Sequence, residues 1–156
     1  GSGYMSRSMV LLLFLVLVIG GGLAIGYATL PGEWYAGLVK PSFNPPNWIF
    51  APVWTILYVL IALAGWRVWD GGLTLPQQFW WAQLVLNFLW SPGFFGLQQM
   101  GLALIVIVLL LISVAGFIKL CWIADRTSAL LFVPYLAWVA FAALLNASLY
   151  WLNPAG

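Results

Sequence analysis

The chain has 156 residues, of which 65% are hydrophobic and 5% charged, with a net charge of +2, one cysteine and no histidine. Charge this sparse and dispersed excludes a nucleic-acid surface, and a lone cysteine excludes a disulfide framework or a Cys-x-x-Cys redox pair. Without histidine there is no histidine-ligated haem, histidine metal site or histidine proton relay.

Gly1–Tyr4 reads as an expression scar ahead of a natural start at Met5. From there the charges at Arg7, Glu33, Lys40, Arg67, Asp70, Lys119, Asp125 and Arg126 divide the chain into uncharged runs at 8–32, 41–66, 71–118 and 127–156. A bilayer span takes roughly 20 apolar residues. The first, second and fourth runs therefore hold one span each. The third holds two, separated by a tight hairpin at "SPGFFGLQQMG" (Ser91–Gly101). The expectation is an all-α integral membrane protein, a multi-pass bundle of five transmembrane helices at 8–28, 46–67, 76–95, 100–122 and 127–150. The segment 5–156 forms a single domain, with 29–45 as its one substantial loop. The first run is too long for the apolar part of a signal peptide and has no small-residue cleavage site, so it is read as a retained span.

Five spans put Arg7, Arg67, Lys119 and Arg126 on one side and Lys40 alone on the other. The positive-inside rule then places the N-terminus in the cytoplasm and the 29–45 loop outside. No carboxylate falls within a span, which argues against ion-coupled transport, since such proteins keep an ionisable group at membrane depth.

In the first span, Gly20-Gly21-Gly22 and Gly26 include a small-xxx-small pattern that permits close approach of a second copy or of the chain's own neighbours. In the loop, Trp34 and Tyr35 precede "KPSFNPPNWIFAPVW". Proline fixes φ and pushes the residue before it out of the helical region. Residues 40–45 are therefore expected to be extended, with Pro46 in the first helical turn and Asn44 or Ser42 bonding freed backbone donors. This makes a rigid elbow, and the loop reads as a lid.

Three helices carry mixed aromatic and polar faces: Phe50, Trp54 and Tyr58; Trp80, Gln83, Asn87 and Trp90; and Tyr135, Trp138, Ala142 and Asn146. Many of the eleven tryptophans belong to an interfacial belt. The amides must point inward, because an unpaired amide in hydrocarbon costs several kcal/mol. They serve either as helix–helix glue or as groups that reach a ligand. Ala142, between Trp138 and Asn146, leaves a gap among large side chains, and a flat hole walled by indoles suits a flat apolar ligand.

Three stretches, "LPGEWYAGLVKPSFNPPNWIFAPVWTILY", "AQLVLNFLWSPGFFG" and "FVPYLAWVAFAALLN", closely resemble the TspO/MBR family, the bacterial tryptophan-rich sensory proteins and the mitochondrial translocator protein once called the peripheral benzodiazepine receptor. The resemblance covers essentially the whole chain. It implies a homodimeric five-helix receptor for porphyrins such as protoporphyrin IX, with lipid or sterol-like molecules and isoquinoline or benzodiazepine-type drugs as further ligands. No cofactor is required, and porphyrin is a ligand held by stacking. The implied pocket lies under the first loop, walled by Tyr35, Pro41, Trp54, Tyr58, Asn87, Trp90, Trp138 and Ala142. Trp54 and Trp138 match the pair tied in some members to light-dependent porphyrin breakdown. The expected role is tetrapyrrole sensing, sequestration or transfer, with a porphyrin-degrading enzyme as the first alternative and a porphyrin, lipid or sterol transporter as the second. A late cholesterol motif is incomplete here: Leu145 and Tyr150 are present, but no Lys or Arg follows through Gly156. With no transit peptide or mammalian-type tail, a bacterial membrane is expected over the mitochondrial outer membrane.

Overall fold

The structure, a computed structural model, describes residues 6–30 and 32–154. The expected scar at Gly1–Tyr4 lies outside them. The described residues form six helices and no strand. Helix α1 runs Arg7–Ala28 through a π-turn at Val16–Gly20. It starts at Ser6, whose hydroxyl caps the Met9 amide at 3.2 Å. A short α2 covers Glu33–Ala36. Helix α3 covers Asn47–Asp70, with a 3-10 first turn. Helix α4 covers Thr74–Ser91 and passes into a π-turn at Pro92–Gly96. Helices α5 (Met100–Ala124) and α6 (Arg126–Leu152) complete the chain.

Helices α1, α3, α5 and α6 are each long and apolar enough to cross a membrane. Helix α4 has the length but not the uniform greasiness, because Gln77, Gln78, Gln83 and Asn87 interrupt it. Where five transmembrane helices were expected, four among the described residues are long and apolar enough to cross a membrane, and α4 is a fifth, amide-bearing helix packed among them.

The five long helices close a ring in the order α1, α3, α6, α5, α4, with α3 and α4 also touching across it. The α5–α6 seam is the most extensive, since the two helices are joined by Asp125 alone and must run back along each other. Its floor is the Phe117–Phe132 ring pair, with centroids 4.2 Å apart. The α3–α4 connection turns at Gly72, whose φ of +67° is the left-handed conformation that glycine adopts without strain. At that end Arg67 grips Asp125 with two hydrogen bonds of 3.1 and 3.0 Å, and Arg7 pairs with Asp70 at 2.8 Å. The Arg67 guanidinium, followed by a bond from Ser128, holds the Asp125 carboxyl below its ordinary range.

Four local expectations are corrected. The break at Ser91–Gly101 is not a hairpin from its start; helical backbone continues to Gly96, and only Leu97–Gln99 turn, with Gln98 left-handed at φ 55°. Residues 40–45 are not fully extended, because a turn at Ser42–Phe43 is closed by the Asn44 amide on the Pro41 carbonyl at 3.1 Å. Pro46 stands just before the helix in extended conformation, where its missing N–H is equally harmless. Neither Asn44 nor Ser42 caps α3; Asn44 instead accepts from the Tyr35 hydroxyl at 3.2 Å.

The glycines of α1 divide by face. A Cβ on Gly22 would stand 2.4 Å from the Tyr58 ring and one on Gly21 would stand 2.9 Å from Phe88, whereas Gly20 and Gly26 have open space. Gly22 therefore serves packing within the chain.

Candidate functional site

The aromatic stripes meet on the half of the bundle nearest the 29–45 loop. Helix α3 delivers Trp54 and Tyr58 one turn apart, which stacks their rings at 5.5 Å and 30°. Helix α6 delivers Tyr135 and Trp138, each of which meets the Trp54 ring edge-on at 6.4 Å. Phe50 and Phe141 flank Trp138 at 5.8 and 5.6 Å. Such pairs contribute about 0.5–1.5 kcal/mol each beyond their burial, so the cluster is rigid as well as apolar.

Beside it run two sets of polar bonds. Asn87 Nδ2 donates to the Tyr135 hydroxyl at 2.6 Å, and that hydroxyl donates to Gln83 Oε1 at 2.8 Å. Trp90 Nε1 donates to Asn146 Oδ1 at 2.9 Å, and Asn146 Nδ2 donates to the Met100 carbonyl at 3.0 Å. Asn87 and Asn146 through their Nδ2, and Gln83 through its oxygen, thus bridge α4, α5 and α6. Two buried donors among the described residues have no partner: Gln83 Nε2 and Trp138 Nε1. A buried donor left unpaired costs about 1–3 kcal/mol, so each of these groups, near the middle of its helix, is able to reward an acceptor.

The loop is tied down from both sides. Tyr35 is buried against Phe94 and Phe95, with ring centroids 6.3 and 5.4 Å away, and burial raises its hydroxyl pKa against the opposing bond to Asn44. Lys40 Nζ sits 4.9 Å from the Tyr35 ring and donates to the Ala36 and Leu38 carbonyls. Past the end of α6, Asn153 pairs with the backbone of Val39.

Of the eight residues expected to form one wall, the structure brings Tyr58 and Trp138 each against Trp54. Asn87 joins them through Tyr135, and Ala142 is buried in the same core. Trp90 packs on both this core and a smaller one under the loop that contains Tyr35. Pro41 stands apart, on an outer groove of about 430 Å³ with Trp151 and Leu152 at the end of α6. Sequence reasoning did not single out Tyr135 as the hub of the polar chain, nor Phe94 and Phe95 as the seat of Tyr35. Gln83 and Asn87 lie one turn apart on α4 and Tyr135 on α6 bonds both, a link that spacing within either helix does not reveal.

Residues 12–152 match the TspO/MBR family. Protein CrtK of Rhodobacter capsulatus is 42% identical over 138 residues, 84% of this chain and 85% of that protein. The tryptophan-rich sensory protein of Cereibacter sphaeroides is 38% identical over 150 residues, 96% of this chain and 95% of that protein. The human translocator protein is 40% identical over 134 residues, 80% of this chain and 79% of that protein.

Proposed function

Given that this chain belongs to the TspO/MBR family, we propose that it is a membrane receptor that binds porphyrins of the protoporphyrin IX type between its aromatic rings and the 29–45 loop. The ligand wall is Tyr35, Trp54, Tyr58, Asn87, Trp90, Trp138 and Ala142, with Pro41 at its outer rim. The observation that carries the reading is the Trp54–Tyr58 stack beside Trp138, whose buried Nε1 has no partner. Flat rings offer faces to a flat macrocycle, and free donors offer bonds to its carboxylate or to a carbonyl of a smaller ligand. Sensing, sequestration or transfer all begin with this binding step.

In this reading α4 is a fifth span. Its Gln83 and Asn87 face the bundle interior, where both meet Tyr135, while lipid meets Leu75, Val85 and Leu89. The N-terminus faces the cytoplasm, and the protein works as a homodimer.

The test is a dark titration of the detergent-solubilised protein with protoporphyrin IX, read by tryptophan fluorescence. Saturable quenching in the micromolar range is expected, weakened in Trp54→Phe and Trp138→Phe. No quenching, or affinities unaltered in both variants, would overturn the reading. One geometric fact favours a second reading, light-driven porphyrin breakdown: two oxidisable indoles, Trp54 and Trp138, lie 6.4 Å apart beside the proposed ligand. Illumination that bleaches many porphyrins per protein supports it, and bleaching of at most one removes it.

A further inference from the structure

Helix α1 has a notch. Three consecutive glycines, Gly20–Gly22, straddle the end of its π-turn, and each glycine inside a helix costs about 1 kcal/mol relative to alanine. For Gly22 the structure shows a compensating contact. A Cβ built there would lie 2.4, 2.5 and 2.9 Å from three ring atoms of Tyr58, whereas ordinary contact begins at 3.4 Å. The same ring is stacked on Trp54. Phe14, Val18 and Gly22 fall on one inward face of α1, with the first two in the main core, so the notch is aimed at the interior.

We infer that Gly22 is a positioning residue for the ligand site: the missing side chain lets the Tyr58 ring seat against α1, and that seat sets where the Trp54 face stands. The inference rests on the ligand reading above for its effect on binding, and on the packing alone for its effect on the rings. An alanine methyl forces the Tyr58 ring back by about 1 Å, the difference between 2.4 and 3.4 Å. The clash falls on the hydroxyl-bearing edge of a rigid, buried ring that is stacked on Trp54, so the ring yields by moving against its packed neighbours. The displacement passes to its stacked partner, and Trp54 in turn touches Trp138 and Tyr135. Stacking on a macrocycle requires a face at a defined depth, so a shift of this size moves ligand affinity. Gly26, on the same helix with open space at its Cβ, is the matched control for helix propensity.

The experiment is a double-mutant cycle in the detergent-solubilised full chain, with protoporphyrin IX as the probe. Gly22→Ala is expected to weaken binding about tenfold or more while Gly26→Ala leaves it unchanged, and the Gly22→Ala loss is expected to shrink to about twofold in a Tyr58→Ala background. The ligand-free near-UV circular dichroism supplies an independent readout. Gly22→Ala should alter the band that Trp54→Phe removes, and Gly26→Ala should not. If the wild type fails to bind porphyrin, the ligand reading fails, and the dichroism alone decides the positioning role. An affinity and a dichroism spectrum unchanged in Gly22→Ala would overturn the inference. So would a loss of the same size with and without the Tyr58 ring. If Gly22→Ala alone does not fold, recovery of a folded protein by adding Tyr58→Ala supports the inference, and no recovery overturns it.

Discussion

Asn153 holds Val39 by both of its peptide groups: its Oδ1 accepts from the Val39 N–H and its Nδ2 donates to the Val39 carbonyl, each at 2.9 Å. The same Nδ2 also reaches the Leu149 carbonyl at 2.9 Å, which anchors the amide to the end of α6. One side chain beyond the last helix thereby pins a loop 114 residues earlier in the chain. Asn153→Ala is expected to free the loop without disturbing the core. Its thermal stability should fall by about 1 kcal/mol or less, because these bonds are exposed and exchange with water. Association and dissociation of porphyrin, followed by stopped-flow quenching, should both speed up with little change in affinity. Unchanged rates would mean that the loop does not limit access.

The Asn87–Tyr135–Gln83 chain makes a sharper prediction about stability. Tyr135→Phe keeps the ring that packs on Phe132 and Trp54 but removes the hydroxyl that both amides use. Two buried amides then lose a partner, at a cost of about 1–3 kcal/mol. Reversible unfolding in mixed detergent would measure it. A loss smaller than for an exposed Tyr27→Phe control would show that the amides find other partners.

A methyl at Gly65 tests the α3–α4 seam. Its Cβ would stand 2.4 Å from the Trp80 indole, which is fully buried and bonded through Nε1 to the Ile61 carbonyl at 2.9 Å. Gly65→Ala is therefore expected to destabilise by about 1–3 kcal/mol, although alanine is the better helix former. The melting temperature checks this, and a stabilised Gly65→Ala protein would disprove the tight seam.

Acid should act on Asp125. Its carboxyl is held below the ordinary value of 3.8, first by the Arg67 hydrogen bonds and then by Ser128. A depressed carboxylate contributes stability that is fully present above its unfolded pKa and is lost as pH falls through its folded one. The melting temperature is thus expected to drop below about pH 3.8 as Asp125 takes up its proton. In Asp125→Asn this part of the acid loss should vanish, on top of a lower melting temperature at neutral pH. An identical acid profile in the variant would place the loss elsewhere.

Much of the architecture was readable because charges are rare and sit at helix ends. Arg67, Asp70, Asp125 and Arg126 bracket α3, α5 and α6 to within a few residues of where the backbone turns. The break after α4 was harder, since Pro92, Gly93 and Gly96 are turn residues by composition yet continue as a π-turn, with Phe94 buried under the loop. The aromatic half of the site followed from helical spacing on single helices: Phe50, Trp54 and Tyr58 do share a face. The polar half depends on which helices are neighbours, and spacing within one helix carries no such information. Gly22 shows this most plainly, because a small-xxx-small pattern fits a second copy of the chain as well as it fits Tyr58. Asn153 was missed for a different reason: its role lies in backbone contacts to a distant loop, which leave no trace in the pattern of side chains.

The two ends of the bundle are fastened by different means. Arg7–Asp70 and Arg67–Asp125 close the end at the α3–α4 and α5–α6 turns with ion pairs, while at the other end Asn153 pins the loop to α6 with neutral hydrogen bonds and Lys40 bonds only backbone carbonyls within the loop. Dissolved salt weakens exposed ion pairs and leaves amide bonds nearly untouched. Ionic strength is therefore a lopsided control on this protein: it loosens the ion-paired turns at the α3–α4 and α5–α6 end and leaves the Asn153 pin on the 29–45 loop as it was.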